Sequence, residues 1–326
     1  MKSSSTLCLA TILASTTLLG GCNAGLASET TRENQFKFNE YKSSYILNPP
    51  SDSVVIPFEL FGKNIRMSAR VNGQECNVLL DNGSLWDDLL FFGSPNVDSL
   101  NLNIVGITNL GNSTAETASA IDLEFEGLTF TDQQAVILPY VEGLPNPWEG
   151  ADLQVSSAFF KNFVVEINFD HKIIRLTKPE AYDYRGNGEV IDMTPDVFES
   201  RTSRIEIETH DGKIIELDLL LDLGGLFELY LPVGDSKEIT LPPDAELKSL
   251  GTGGFGASEG YIGTVKEVRI GKYRLTDVEA AFVDVEAGES VYGNAMIGFP
   301  MFQRFNITFD YFNERMILEP SMMHIK

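Results

Sequence analysis

Short runs in which apolar and polar positions alternate dominate the chain from about residue 55 onward. "IRMSARVNG" leads through Asn72-Gly73 into "NVLLD", and "SRIEIETHDG" leads through Asp211-Gly212 into "KIIELDLLLD". Alternation by two puts successive side chains on opposite faces of a strand, and Asn-Gly or Asp-Gly between two such runs predicts a hairpin. Helical spacing is scarce, confined to short stretches at Ser156–Lys161 and Pro300–Arg304. The pattern predicts an all-β fold, mostly antiparallel.

The elements recur. "NVLLDNGSLWDDLLF" (77–91) is echoed by "GKIIELDLLLDLGGLFELYLP" (212–232): an apolar strand, an aspartate, a glycine two residues on, then a second apolar strand. Asp222 follows Asp81 by 141 residues, "LTDVEAAFV" from Leu275 follows "FTDQQAVIL" from Phe130 by 145, and "FQRFNITFDYFNERMIL" from Phe302 follows "FKNFVVEINFDHKIIRL" from Phe160 by 142. Three blocks in one order at nearly one offset mark a duplication, two copies of one unit in a pseudo-twofold arrangement. The seam falls within "YRGNGEVIDMTPD", residues 184–196. A plain surface turn has no reason to recur in register with the whole unit. Asp81 and Asp222 are therefore read as site carboxylates carried to strand ends.

The N-terminal pattern is different. Lys2 precedes "LCLATILASTTLLGGC", an apolar segment too short to span a membrane and remain there, so residues 1–21 are read as an export signal. Leu19-Gly20-Gly21-Cys22 resembles the lipobox of bacterial lipoproteins, in which the cysteine is lipidated and becomes the first mature residue. That resemblance implies a protein of the bacterial cell envelope, held to the membrane by lipid on Cys22 alone. Asn23, where a retention aspartate would stand, points to the outer membrane and a periplasmic or surface face. Residues 22–54 are expected to be a tether and lead-in.

Composition narrows the partners. The 326 residues, 43% of them apolar, supply an ordinary globular core. The formal charge is −23, or −24 once Lys2 leaves with the signal, and a field of that sign repels nucleic acid and anionic lipid surfaces. Of three cysteines, Cys8 lies in the signal and Cys22 is the expected anchor, which leaves Cys76 as buried filler and no internal disulfide.

Both copies resemble retropepsin-type aspartic protease domains, found in duplicate in exported bacterial proteins of the aspartyl protease family. The likeness spans roughly residues 55–320 and rests on the two Asp-X-Gly elements, the hairpin "GTGGFGASEGYIG" and the block "MIGFPMFQRFNITFDY". It implies two β-barrel units, 55–188 and 189–326, with Asp81 and Asp222 as the catalytic pair and no cofactor or metal. One carboxylate would take a proton from water while a neighbouring carboxylic acid gives one to the carbonyl oxygen of an extended peptide or protein substrate. Carboxyl groups about 3 Å apart cannot both ionise and share one proton. Gly83 and Gly224 would let each loop approach its twin, and Met296-Ile297-Gly298 would support the loop that carries Asp222. A flap over the cleft would be built around Gly253 and Gly254, with Tyr261 touching substrate. The oligomeric state stays open.

Two positions depart from the family. Where Asp-Thr-Gly or Asp-Ser-Gly is usual, the chain holds Asn82 and Leu223. Asn can donate and accept, but Leu can do neither, so a reciprocal hydroxyl network cannot form. Ser84 and Gly225 follow, and a Ser84 hydroxyl could still hold Asp81; Ser156 stands where the second copy has Gly298. A catalytically inactive peptide-binding or envelope scaffold protein on the same fold stays open beside the peptidase. Other chemistry is poorly served. Gly251–Gly256 matches G-x-G-x-x-G but leads into a β pattern instead of a helix. Only His171, His210 and His324 could serve a zinc site or triad, and Asp87-Asp88 reads as a solvated acidic edge.

Overall fold

A computed structural model of the chain describes residues 44–83, 89–110, 113–139, 150–196, 200–234, 238–243, 245–253, 256–284 and 295–322. The expected signal, Cys22 and the tether up to residue 43 lie outside these residues, as do Ser84, Asp87-Asp88, Gly254 and His324.

In the first unit come β1 (Ser44–Leu47), β2 (Ser53–Pro57), β3 (Glu59–Leu60), β4 (Ile65–Val71), β5 (Gln74–Leu80), β6 (Leu89–Phe91), α1 (Pro95–Ser99), β7 (Asn103–Leu110), β8 (Ser113–Phe125), β9 (Leu128–Ile137), β10 (Leu153–Val155), α2 (Ser157–Phe160), β11 (Val164–Asn168) and β12 (Ile173–Thr177). The second unit repeats the series with β13 (Glu189–Asp192), β14 (Thr194–Pro195), β15 (Arg201–Glu208), β16 (Ile214–Leu221), β17 (Leu229–Val233), β18 (Glu246–Gly253), β19 (Gly256–Ile270), β20 (Tyr273–Asp284), β21 (Met296–Ile297), α3 (Phe299–Phe302), β22 (Phe305–Asp310) and β23 (Arg315–Pro320).

Hydrogen bonding closes each unit into a ring of six strands. The order is β4-β5-β10-β6-β9-β8 and back to β4 in the first, and β15-β16-β21-β17-β20-β19 and back to β15 in the second. Closure removes exposed sheet edges from the ring. Both rings contain two parallel joints at matching places, β5–β10 with β6–β9 and β16–β21 with β17–β20. The alternation seen in the sequence becomes the inside and outside of these barrels: along β4 the buried residues are Ile65, Met67, Ala69 and Val71. Asn72 and Gly73 both adopt positive φ, +49° and +83°, as a two-residue hairpin turn requires. The Asp211-Gly212 hairpin is wider than that. Residues 209–213 form it, with the Thr209 N–H on the Lys213 carbonyl and φ of +84° at Gly212.

A third sheet, β13-β23-β22-β11-β12-β2, joins the units. Its middle pair carries the pseudo-twofold in its register. Val165 faces Phe309, Glu166 faces Thr308 and Ile167 faces Ile307, so Glu166 and its equivalent Thr308 meet at the centre. One apolar cluster runs through both units, built on Phe91, Phe130, Phe159, Phe163, Phe299 and Phe309. The lead-in also takes part from residue 44: β1 pairs with β9, and the Tyr45 ring lies 4.6 Å from that of Phe163. Cys76 is buried and free, its thiol pushed up to about 12 chiefly by burial and then by the Asp152 charge, which suits filler and not reactivity.

Candidate active site

Each aspartate is the residue that follows a barrel strand, Asp81 after β5 and Asp222 after β16. Each is tied at the same place to the short parallel strand beside it. The Asp81 N–H donates to the Val155 carbonyl at 3.2 Å and the Asp222 N–H to the Ile297 carbonyl at 2.9 Å. The loops then turn back on their own carboxylates, with Gly83 N–H on Asp81 Oδ1 at 2.8 Å and Gly224 N–H on Asp222 Oδ1 at 2.7 Å. Two loops built alike are thereby presented to each other across the pseudo-twofold axis.

The glycines show how closely the loops approach. A Cβ placed on Gly224 would sit 2.6 Å from Asp81 Oδ2, and one placed on Gly83 would overlap the Asp222 carboxyl carbon. Each carboxylate thus occupies the space that any side chain on the opposite glycine would need. Asp222 is hydrogen-bonded through its side chain to Asp81, and its pKa lies well above the usual carboxylate range. Burial is the main cause and the negative charge of Asp81 the next, against which the Gly224 and Gly225 N–H groups pull in the opposite direction. Two carboxyl groups so close favour sharing one proton over both being ionised, which is the direction of the Asp222 shift.

Beneath the pair the connection is one-sided. Asn82 is buried, and its Oδ1 accepts the Leu223 N–H at 2.8 Å. Its Nδ2 donates to Tyr311 Oη at 3.1 Å. Leu223 is fully buried in the common core. The Asn82 amide thus makes this link from the first unit only, since Leu223 has no polar side chain to return it.

Gly298 and Gly225 need each other. A Cβ on Gly298 would collide with the Phe227 carbonyl oxygen and lie 2.9 Å from that of Gly225; a Cβ on Gly225 would lie 2.9 Å from Gly298 Cα. The Phe299 N–H closes the contact on the Gly225 carbonyl at 2.9 Å. Ser156, the equivalent of Gly298, is also buried. The glycine-rich hairpin is β18–β19, with Gly253 opposite Gly256 near its tip. Tyr261 lies eight residues beyond Gly253, opposite Leu247 and Phe282, half-buried against the core. The first unit has the matching hairpin β7–β8, which the sequence pattern did not single out. His171 sits in the β11–β12 turn, and His210 shares a hydrogen bond with Thr264 in the β15–β16 turn region.

Two site residues escaped the sequence reading. Tyr311 stands on the 3-10 turn Tyr311–Asn313 after β22, its ring stacked on Phe160 at 5.2 Å with the Arg201 guanidinium 4.4 Å over it. Burial, chiefly, pushes its hydroxyl up to about 12, and the charges of Asp222 and Asp81 act in the same direction. Lys63 crosses from the first unit to donate to the Leu226 carbonyl at 2.6 Å, on the loop that carries Asp222. The repeat itself held a clue to the first: "FDY" (309–311) in the second copy stands against "INF" (167–169) in the first, a polar ring where the twin has Phe169.

No family model matches the chain, and no curated protein does. Among solved structures, the basic 7S globulin from soybean is similar, at 11% identity and a TM-score of 0.48, over 85% of this chain and 98% of that one. Nothing about activity follows from so distant a likeness.

Proposed function

We propose that the protein is an aspartic peptidase-like hydrolase that cleaves extended peptides with water activated between Asp81 and Asp222. The observation that carries this reading is the carboxyl pair itself, hydrogen-bonded, with the Asp222 pKa raised by burial and by its neighbour. In the proposed step Asp81 takes a proton from water, and the water oxygen bonds to the peptide carbonyl carbon. Asp222 gives its proton to the carbonyl oxygen. Collapse of the resulting gem-diol breaks the C–N bond and delivers a proton to the leaving nitrogen, so no covalent enzyme intermediate forms. The hairpins β7–β8 and β18–β19 would hold the peptide by strand addition from both units.

Leu223 favours a second reading, a peptide-binding module that does not cleave. A digest of a peptide library by the purified full-length protein separates the two. Wild type should cut, and Asp81→Asn or Asp222→Asn should each lower the rate at least about a thousandfold, because one carboxylate cannot serve as base and acid together. Equal background from all three proteins, with peptide still bound, would leave the silent module.

A further inference from the structure

Positions 82 and 223 are equivalents in the two units, and so are 311 and 169. They differ in a matched way. Asn82 is bonded to Tyr311, polar to polar, whereas Leu223 and Phe169 are both apolar and both fully buried in the common core. A polar residue at one equivalent position comes with a polar residue at the other.

The reason lies in the donors. The Leu223 N–H can only donate, so the Asn82 amide must turn its oxygen towards it. That leaves Nδ2 pointing the other way, in need of an acceptor, and Tyr311 Oη supplies it. Asn82 is the residue between Asp81 and Gly83, whose α-carbon lies against the Asp222 carboxyl. We propose that Tyr311 is a positioning residue for the aspartate pair, holding the Asn82 amide in the orientation that bonds the Leu223 N–H and keeps the two loops together. It stands in, from one side, for the hydroxyl network that Leu223 cannot make. The groups facing Tyr311 are Arg201 over its ring, Asn82 at its hydroxyl, and the charges of Asp81 and Asp222; the adjoining Asp310 is committed to Arg315 and Asn313. Phe keeps the stacked ring at 311 and removes only the hydroxyl, the acceptor of the Asn82 Nδ2 bond.

This inference deepens the peptidase reading, and its test is chosen to work without turnover. The full-length protein labelled with carboxyl-13C aspartate is titrated by NMR, with the pair assigned through Asp81→Asn and Asp222→Asn. Wild type should show two well-separated apparent pKa values for the pair. In Tyr311→Phe the loops part and the separation should narrow by about one pH unit or more, since it is set by how strongly the sites interact. Asn82→Ala, which leaves the tyrosine in place, should do the same. Asn82→Thr in the Tyr311→Phe background should restore the wild-type separation, because a threonine hydroxyl accepts the Leu223 N–H without help from residue 311. A ring that merely filled space would not be rescued by a change at residue 82. Peptide turnover by Tyr311→Phe should fall about tenfold in kcat with KM unchanged. Superimposable titrations of wild type and Tyr311→Phe, or no rescue by threonine, would overturn the proposal. A wild type that cuts nothing but titrates as described would defeat the peptidase and leave the positioning role standing.

Discussion

At the scale of single residues, the fate of one proton decides the most. Asp222 has a pKa raised by burial and by Asp81, so the folded chain holds a proton that the unfolded chain releases above its ordinary pKa of about 3.9. The folded state binds more protons in that window, and its stability must fall as pH rises from about 4 through the folded pKa. Asp222→Asn keeps a neutral donor towards Asp81 and has no proton to lose. Urea unfolding should therefore give similar midpoints for wild type and variant near pH 4, with the variant gaining relative to wild type as pH approaches 7. A wild type that gains on the variant over that range would rule out the protonated Asp222. Both aspartates were legible in the sequence because the duplication repeats them in register. Tyr311 was not, since its partner Asn82 lies 229 residues away and only the closing of the two units brings them together.

At the scale of elements, the strands and the hairpin at Asn72-Gly73 followed from alternation and turn chemistry. The pairing that matters most did not: β11 against β22, where the pseudo-twofold register lies, is a long-range choice that periodicity cannot express. The short helix α1 is not legible from apolar spacing, since only Val97 of its residues is buried, although Ser94 caps it through the Val97 N–H and Pro95 opens it. The Asp222 loop gives a direct check on element packing. Gly298→Ala would force a Cβ into the Phe227 carbonyl oxygen, which the backbone on both sides cannot avoid. It should cost about 3 kcal/mol in urea unfolding, at the upper end for overpacking. Ser156→Gly, at the equivalent place in the first unit, should cost no more than about 1 kcal/mol, the usual loss from extra backbone freedom. Equal costs at the two positions would contradict the tight seat assigned to Gly298.

At the scale of the whole molecule, two six-stranded barrels and a shared sheet bring to one point two carboxylates that the chain separates by 141 residues. A single unit could not form this pair, since each unit brings one of the two aspartates to it, and the proposed water activation needs both. The asymmetry of the link beneath them, Asn82 on one side and Leu223 on the other, is what makes the chemistry worth measuring directly. The most direct measurement is the pH dependence of peptide cleavage by the wild-type protein. A pair that shares one proton predicts a bell-shaped rate profile with an acidic centre, rising as the pair loses its first proton and falling as it loses the second. Cleavage that rises through neutral pH to a plateau, or no cleavage at any pH, would contradict it.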